Sequence, residues 1–141
     1  MKRRIWAVLA LFLWCGVALA QQAPDIGSVM SAIRGQNWSE AARIARTFGP
    51  VAEDIVEWHR LRAGEGTWRD AAGFLRRRPD WPGLPLLRRK QEVNFSDAPA
   101  DAVFQTFSDS GAQTAVGALL LARALESRGL RSEAEATIVK A

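Results

Sequence analysis

The sequence predicts an all-α fold: a helical-repeat solenoid, a superhelix of antiparallel helix pairs, behind an N-terminal signal peptide. Three observations point that way. Apolar residues recur at spacings of three and four, and no alternating run of β-branched residues occurs. Glycine and proline punctuate the chain at intervals that suit short helices. A six-residue pattern, Asn37-Trp38-Ser39-Glu40-Ala41-Ala42, returns thirty positions later as Thr67-Trp68-Arg69-Asp70-Ala71-Ala72. A period near thirty residues made of two helices is the sign of an α-solenoid, where no pair buries its face alone and each stacks on the next.

Residues 1–20, MKRRIWAVLALFLWCGVALA, read as the signal peptide. A basic start (Lys2, Arg3, Arg4) precedes an apolar run and the small-x-small end Ala18-Leu19-Ala20, with cleavage expected before Gln21. The run is short for a membrane span, and no later segment is long enough, so no span is expected after cleavage. Cys15 follows the bulky Trp14, where a lipidation signal wants a small residue. Residues 21–141 then form one α-superhelical domain. The only cysteine leaves with the signal, so a buried core rather than a disulfide must hold the exported domain together.

The helices follow in order. Asp25 caps a first helix, Ile26 to Arg34, with Val29, Met30 and Ile33 on one side. Gly35-Gln36-Asn37 ends it. Trp38 to Phe48 follows, with Ala41, Ala42, Ile44, Ala45 and Phe48 as apolar positions. Gly49 stops that helix, and Pro50 suits the first turn of the next. Helix Pro50–Ala63 places Val51, Ile55, Trp58 and Leu61 at spacings of three and four, which predicts one buried stripe. The expected pairs are 38–48 with 50–63, 67–78 with 82–93, and 99–108 with 113–128. Helix starts at Ala98-Pro99-Ala100-Asp101-Ala102 and Leu130-Arg131-Ser132-Glu133-Ala134 keep the same step. The last helix is expected to run to Ala141 without a partner, its Ala134, Ile138 and Val139 facing nothing. The domain thus reads as incomplete at its C-terminus, a solenoid stopping in mid-repeat.

Charge narrows the partners. The chain has 19 Lys+Arg and 15 Asp+Glu, and removing Lys2, Arg3 and Arg4 leaves 16 against 15. A near-neutral exported domain argues against nucleic acid as a partner. The basic side chains are concentrated: residues 60–90 hold nine, against three acids. Most fall in RRRPDWPGLPLLRRK, residues 76–90. Much of that stretch is helix punctuation. Arg76, Arg77 and Arg78 close one helix, Pro79 stops it, Asp80 can cap the next and Pro82 suits its first turn. The residual positive field marks Arg76, Arg77, Arg78, Arg88 and Arg89, with Trp81 between them, as the candidate glycan or inter-domain contact.

Enzymatic signatures are lacking. His59 has no second histidine, cysteine or carboxylate pair at a metal-ligand spacing and reads as structural. No serine sits in a nucleophile elbow, and no glycine-rich phosphate loop occurs. No catalytic residue, metal ligand or cofactor site is assigned. Trp38 and Trp68, at equivalent repeat positions, are expected as wedges between helices.

Two blocks, Val56-Glu57-Trp58-His59-Arg60-Leu61-Arg62 and Phe74-Leu75-Arg76-Arg77-Arg78-Pro79-Asp80-Trp81-Pro82-Gly83-Leu84-Pro85-Leu86-Leu87-Arg88-Arg89, resemble the N-terminal helical region of soluble lytic murein transglycosylases, over about residues 25–141. The resemblance implies a periplasmic location and an α-superhelix forming part of a ring-like scaffold. In that family a separate C-terminal lysozyme-like domain cleaves the MurNAc–GlcNAc bond of peptidoglycan without water, leaving a 1,6-anhydro end. One glutamate acts there as acid and then base, a variation on the usual two-carboxylate scheme, and no cofactor is needed. Glu126-Ser127 matches the first two residues of that catalytic motif, but Arg128-Gly129-Leu130 follows without the family's downstream segment, so no catalytic role carries over. The expected function is a scaffold segment in peptidoglycan turnover, inactive alone, with peptidoglycan and a missing catalytic domain as partners. The alternative is a stand-alone periplasmic tetratricopeptide-like adaptor for another protein.

Overall fold

The computed structural model describes residues 25–140, so the signal peptide expected over residues 1–20 lies outside the described residues. Those residues form eight α-helices and no strand: α1 (Ile26–Arg34), α2 (Trp38–Ala45), α3 (Pro50–Arg62), α4 (Trp68–Arg77), α5 (Leu84–Gln91), α6 (Ala100–Phe107), α7 (Ala115–Glu126) and α8 (Arg131–Val139). Single 3₁₀ turns, Arg46–Phe48 and Glu92–Phe95, prolong α2 and α5. The fold is all-α.

Capping chemistry fixes the helix starts. Asp25 accepts a 2.7 Å hydrogen bond from the Ser28 amide at the head of α1. The repeated six-residue pattern proves to be two equivalent helix openings. Asn37 accepts from the Glu40 amide, and Thr67 accepts from the Asp70 amide. At Thr67 the cap is reciprocal, because the Asp70 carboxylate accepts from the Thr67 amide at 3.0 Å. Four residues into α2, α4, α6 and α8 stand Ala41, Ala71, Val103 and Ala134, all at most 2% exposed. Three of these are alanines, which lets the neighbouring helix approach closely.

Packing divides the interior in two. Val29, Ile33, Ala41, Ile44, Ala45, Ala52 and Val56 form a small aliphatic cluster among α1, α2 and α3. A larger cluster runs from Leu61 to Ala134 and is built around Phe74, Phe95 and Phe107. Phe95 and Phe107 are in direct ring contact, with centroids 4.8 Å apart. Trp38 packs against the first cluster and Trp68 against the second, each half-buried.

Three expectations are corrected. The α3 stripe is split: Val51 is 56% exposed, Ile55 packs on the first cluster, and Trp58 and Leu61 belong to the second. One stripe presumes one neighbour, whereas α3 contacts α1 and α2 as well as α4 and α5. Its buried face therefore includes Ala52, Asp54 and Val56. Phe48, in the 3₁₀ turn beyond α2, is exposed rather than buried. The last helix does have a partner. Gly129, with φ of 76°, turns the chain back after α7. The turn lays α8 along α7 and buries Ala134 in the larger cluster, while Ile138 and Val139 stay exposed.

Candidate functional site

The arginine-flanked stretch 76–90 is the joint between α4 and α5. Trp81 donates its amide to the Arg78 carbonyl at 3.2 Å, closing a turn after α4. Asp80 does not cap α5, and Pro82 is not in its first turn. The helix begins two residues after Pro82, at Leu84, with Gly83 at the cap position and Pro85 in the first turn. Gly83 has φ of 71°, and a β-carbon there would stand 3.6 Å from the Trp58 ring and 3.7 Å from the Arg62 guanidinium. The joint thus lies in contact with α3 at Gly83.

Two contacts hold this joint to α3. The Trp58 indole donates to the Pro82 carbonyl at 2.8 Å, and Arg62 stacks over the same ring at 4.3 Å. On the other side Asp54, 7% exposed, accepts from Arg77 at 3.0 Å and from Arg78 Nε at 2.7 Å. Burial pushes the Asp54 carboxyl up, but the hydrogen bonds and charges of Arg77 and Arg78 outweigh it and hold it below its ordinary value. Nearby, Arg60 bridges Glu57 and Asp70 at 2.9 Å and 3.0 Å, and so ties α3 to the head of α4.

The structure does not gather the six candidate residues in one place. Arg77 and Arg78 line a groove of about 480 Å³ with Trp38, Glu53, Asp54 and Arg60, and Asp54 engages both arginines. Arg76 and Arg88 line a separate cavity of about 290 Å³ between α4, α5 and α6, with Gln105, Asp109 and Ser110. There Arg88 donates to the Thr106 carbonyl at 3.3 Å and the Ser110 hydroxyl at 3.2 Å, bracing the end of α6. Arg76 and Arg89 are exposed and make no ion pair or hydrogen bond among the described residues. Trp81 is half-buried, edge-on to Phe74 at 6.0 Å, with Arg78 over its face at 5.3 Å. Its ring is a packing element of the joint. His59 stands edge-on to Trp58 at 4.7 Å, and burial, with the Arg62 charge, lowers its pKa.

A second set of polar residues was not singled out from the sequence. Gln91 and Glu92 are both 1% exposed and read opposite helix ends. Gln91 donates to the carbonyls of Leu61 (2.8 Å) and Glu65 (2.9 Å), and Asn94 donates to that of Gly64, so together they satisfy the C-terminus of α3. Glu92 accepts from the Gln113 amide at 2.6 Å and from the Thr114 hydroxyl, at the N-terminus of α7. The signal was present: Leu87, Gln91 and Phe95 stand four apart on one helical face, and a polar residue inside an apolar stripe requires buried partners.

Chemically, the joint offers guanidinium groups and hydrogen-bond donors around two open cavities. Arg77 and Arg78 are already engaged by Asp54, so among the candidate arginines that line these cavities only Arg76 makes no ion pair or hydrogen bond among the described residues. Comparison with family models, with curated proteins and with solved structures finds no match to this chain.

Proposed function

We propose that this chain is the non-catalytic N-terminal scaffold segment of a periplasmic lytic murein transglycosylase, exported by its first twenty residues. In this reading α2–α3, α4–α5 and α6–α7 are successive turns of a superhelix. The missing catalytic domain supplies glycosidic cleavage, and the segment shapes the path of the glycan. One observation carries the proposal: the residues that bear the family resemblance make the joint that seats one helix pair on the next. Trp58 grips Pro82, and Arg77 with Arg78 grip Asp54. The cavity flanked by Arg76 and Arg88 then faces peptidoglycan, whose peptide stems carry carboxylates.

The test is co-sedimentation of the exported form with purified murein sacculi across a salt series, with analysis of the released muropeptides. Binding should fall as salt rises and should drop severalfold in the Arg76→Ala, Arg89→Ala double variant, with no anhydro-muropeptide released. Release of anhydro-muropeptides would overturn the non-catalytic assignment. Binding that neither salt nor the double variant weakens, or no binding at low salt, would overturn the glycan contact.

A further inference from the structure

The cavities that hold arginines differ in what else lines them. The groove of Arg77 and Arg78 contains Glu53, Asp54 and Glu57, and the cavity of Arg76 and Arg88 contains Asp109. A third cavity, of about 370 Å³, lies where the ends of α1 and α3 meet Leu86 of α5. Arg34, Gln36, His59 and Arg62 line it, with no acid among its lining residues. Ile33, Trp38 and Leu86 give it an apolar wall. Neither arginine makes an ion pair or a side-chain hydrogen bond among the described residues. Arg34 is exposed in the last turn of α1, where a cation suits the helix dipole. Arg62 has no such account. It is half-buried, its guanidinium stacks over Trp58 at 4.3 Å, and its Nε is shut off from solvent without a hydrogen-bond partner. A β-carbon on Gly83 would stand 3.7 Å from that nitrogen. Buried donors are nearly always paired. Here a guanidinium is held in place, partly stripped of water and without a counter-charge. Gln36, at the rim, has φ of 55°, a left-handed conformation that favours glycine.

We propose that this cavity binds a small organic anion, a carboxylate carried on an apolar body. The carboxylate accepts from the guanidinium groups of Arg62 and Arg34, with the Gln36 amide as a further donor. The apolar body lies against Ile33, Trp38 and Leu86. A neutral ligand fits worse, because it leaves both guanidinium groups without a counter-charge. An inorganic anion fits worse, because it leaves the apolar wall uncovered. His59 reports on the site. Burial and the Arg62 charge hold its imidazole below the ordinary value. A carboxylate bound beside Arg62 offsets that charge and favours the imidazolium, so the His59 pKa should rise on binding. The cavity shares no lining residue with that of Arg76 and Arg88, so failure of murein binding leaves the proposed site standing.

The experiment uses the full chain and phenylacetate as probe, with phenylacetamide and inorganic phosphate as comparators. His59 is the chain's only histidine, so its imidazole resonances are unambiguous in a proton NMR titration. Phenylacetate should shift those resonances saturably and raise the His59 pKa. The amide and phosphate should each bind about tenfold more weakly, the first for want of charge and the second for want of apolar contact. Arg62→Gln should weaken phenylacetate binding about tenfold. Because Arg62 also packs on Trp58, a second variant is needed. Arg34 is on the surface, so Arg34→Gln should keep its helical circular dichroism and still weaken binding severalfold. Absence of a saturable shift, equal binding of the amide or of phosphate, or undiminished binding by either folded variant would overturn the proposal.

Discussion

The two halves of the interior are built from different materials. The cluster of α1–α3 is aliphatic and small, with alanines at 41, 45 and 52 and nothing larger than isoleucine fully inside. The cluster of α3–α8 contains three buried phenylalanines, of which Phe95 and Phe107 are in direct ring contact. Buried area sets the scale of stabilisation, at about 25 cal/mol per Å² of apolar surface. The aromatic half therefore holds itself together, while the aliphatic half depends more on its attachment. That attachment combines Leu61 and Trp58 of α3, packed into the second cluster, with polar clasps: Asp54 with Arg77 and Arg78, and Trp58 with Pro82. Local opening free energies follow such differences, so the two regions should open as separate units.

The largest effect should come from the aromatic spine. Phe95→Ala removes a side chain 1% exposed that touches both Trp68 and Phe107. A cost of about 3–5 kcal/mol is expected, read as a lower urea midpoint in which both regions unfold together. If α1–α3 keeps its amide protection while the rest unfolds, the dependence of the first cluster on the second is wrong. Gly117→Ala should come next. Gly117 lies in the first turn of α7 against the Glu92 carboxylate, and a methyl group there overlaps it. Displacing Glu92 from the head of α7 adds crowding to a lost buried hydrogen bond, for about 2–3 kcal/mol. An unchanged melting temperature in the alanine variant would show that the Glu92 clasp is not rigid.

Asp54→Ala tests the attachment directly. Breaking a buried ion pair costs about 3–5 kcal/mol, but Arg77 and Arg78 are 53% and 34% exposed and can turn to water. The expected loss is therefore nearer 1–2 kcal/mol. Its distribution matters more than its size: amide exchange should quicken in α1–α3 and stay unchanged around Phe107. The same clamp is sensitive to acid. The Asp54 pKa is lower in the folded chain than in the unfolded chain, so the unfolded state binds the proton more readily. The clamp's contribution is complete above the unfolded value near 3.8 and is lost as pH falls through the folded value. Wild type and Asp54→Ala should therefore converge in stability at low pH.

Most local chemistry was legible in the sequence, the start of α5 at Asp80 and Pro82 excepted, and orientation was not. Asp25, Asn37 and Thr67 were readable as helix openings because a cap needs only its own next three residues. The alanine four residues into α2, α4 and α8 followed from the same pattern. The face that α3 buries was not readable, because two sets of neighbours compete for it and Asp54 answers residues more than twenty positions away. Gln91 and Glu92 were hidden for the same reason, since their partners are the ends of other helices. Of the candidate residues, the arginines were legible as a cluster of charge. Their division between Asp54, the end of α6 and open solvent depends on tertiary placement.

The smallest effects sharpen the comparison at its repeated element. Asn37 and Thr67 open equivalent helices, one in each region, yet only Thr67 has the reciprocal bond from its own amide to the acid three residues on. Thr67→Ala should cost about 1 kcal/mol, and Asn37→Ala somewhat less. The difference is measurable as separate shifts in midpoint at constant denaturant slope. His59, on α3 where the two clusters meet, adds a still smaller effect. Burial and Arg62 favour its neutral form in the fold, so its folded pKa lies below the unfolded value of 6.5. The unfolded state then binds the proton first, and stability should decline as pH falls below about 6.5 and level off below the folded value. In His59→Gln that part of the slope should vanish while the acid limb set by Asp54 remains. A slope kept in His59→Gln would place the titration elsewhere and remove His59 from the account of how the two clusters are joined.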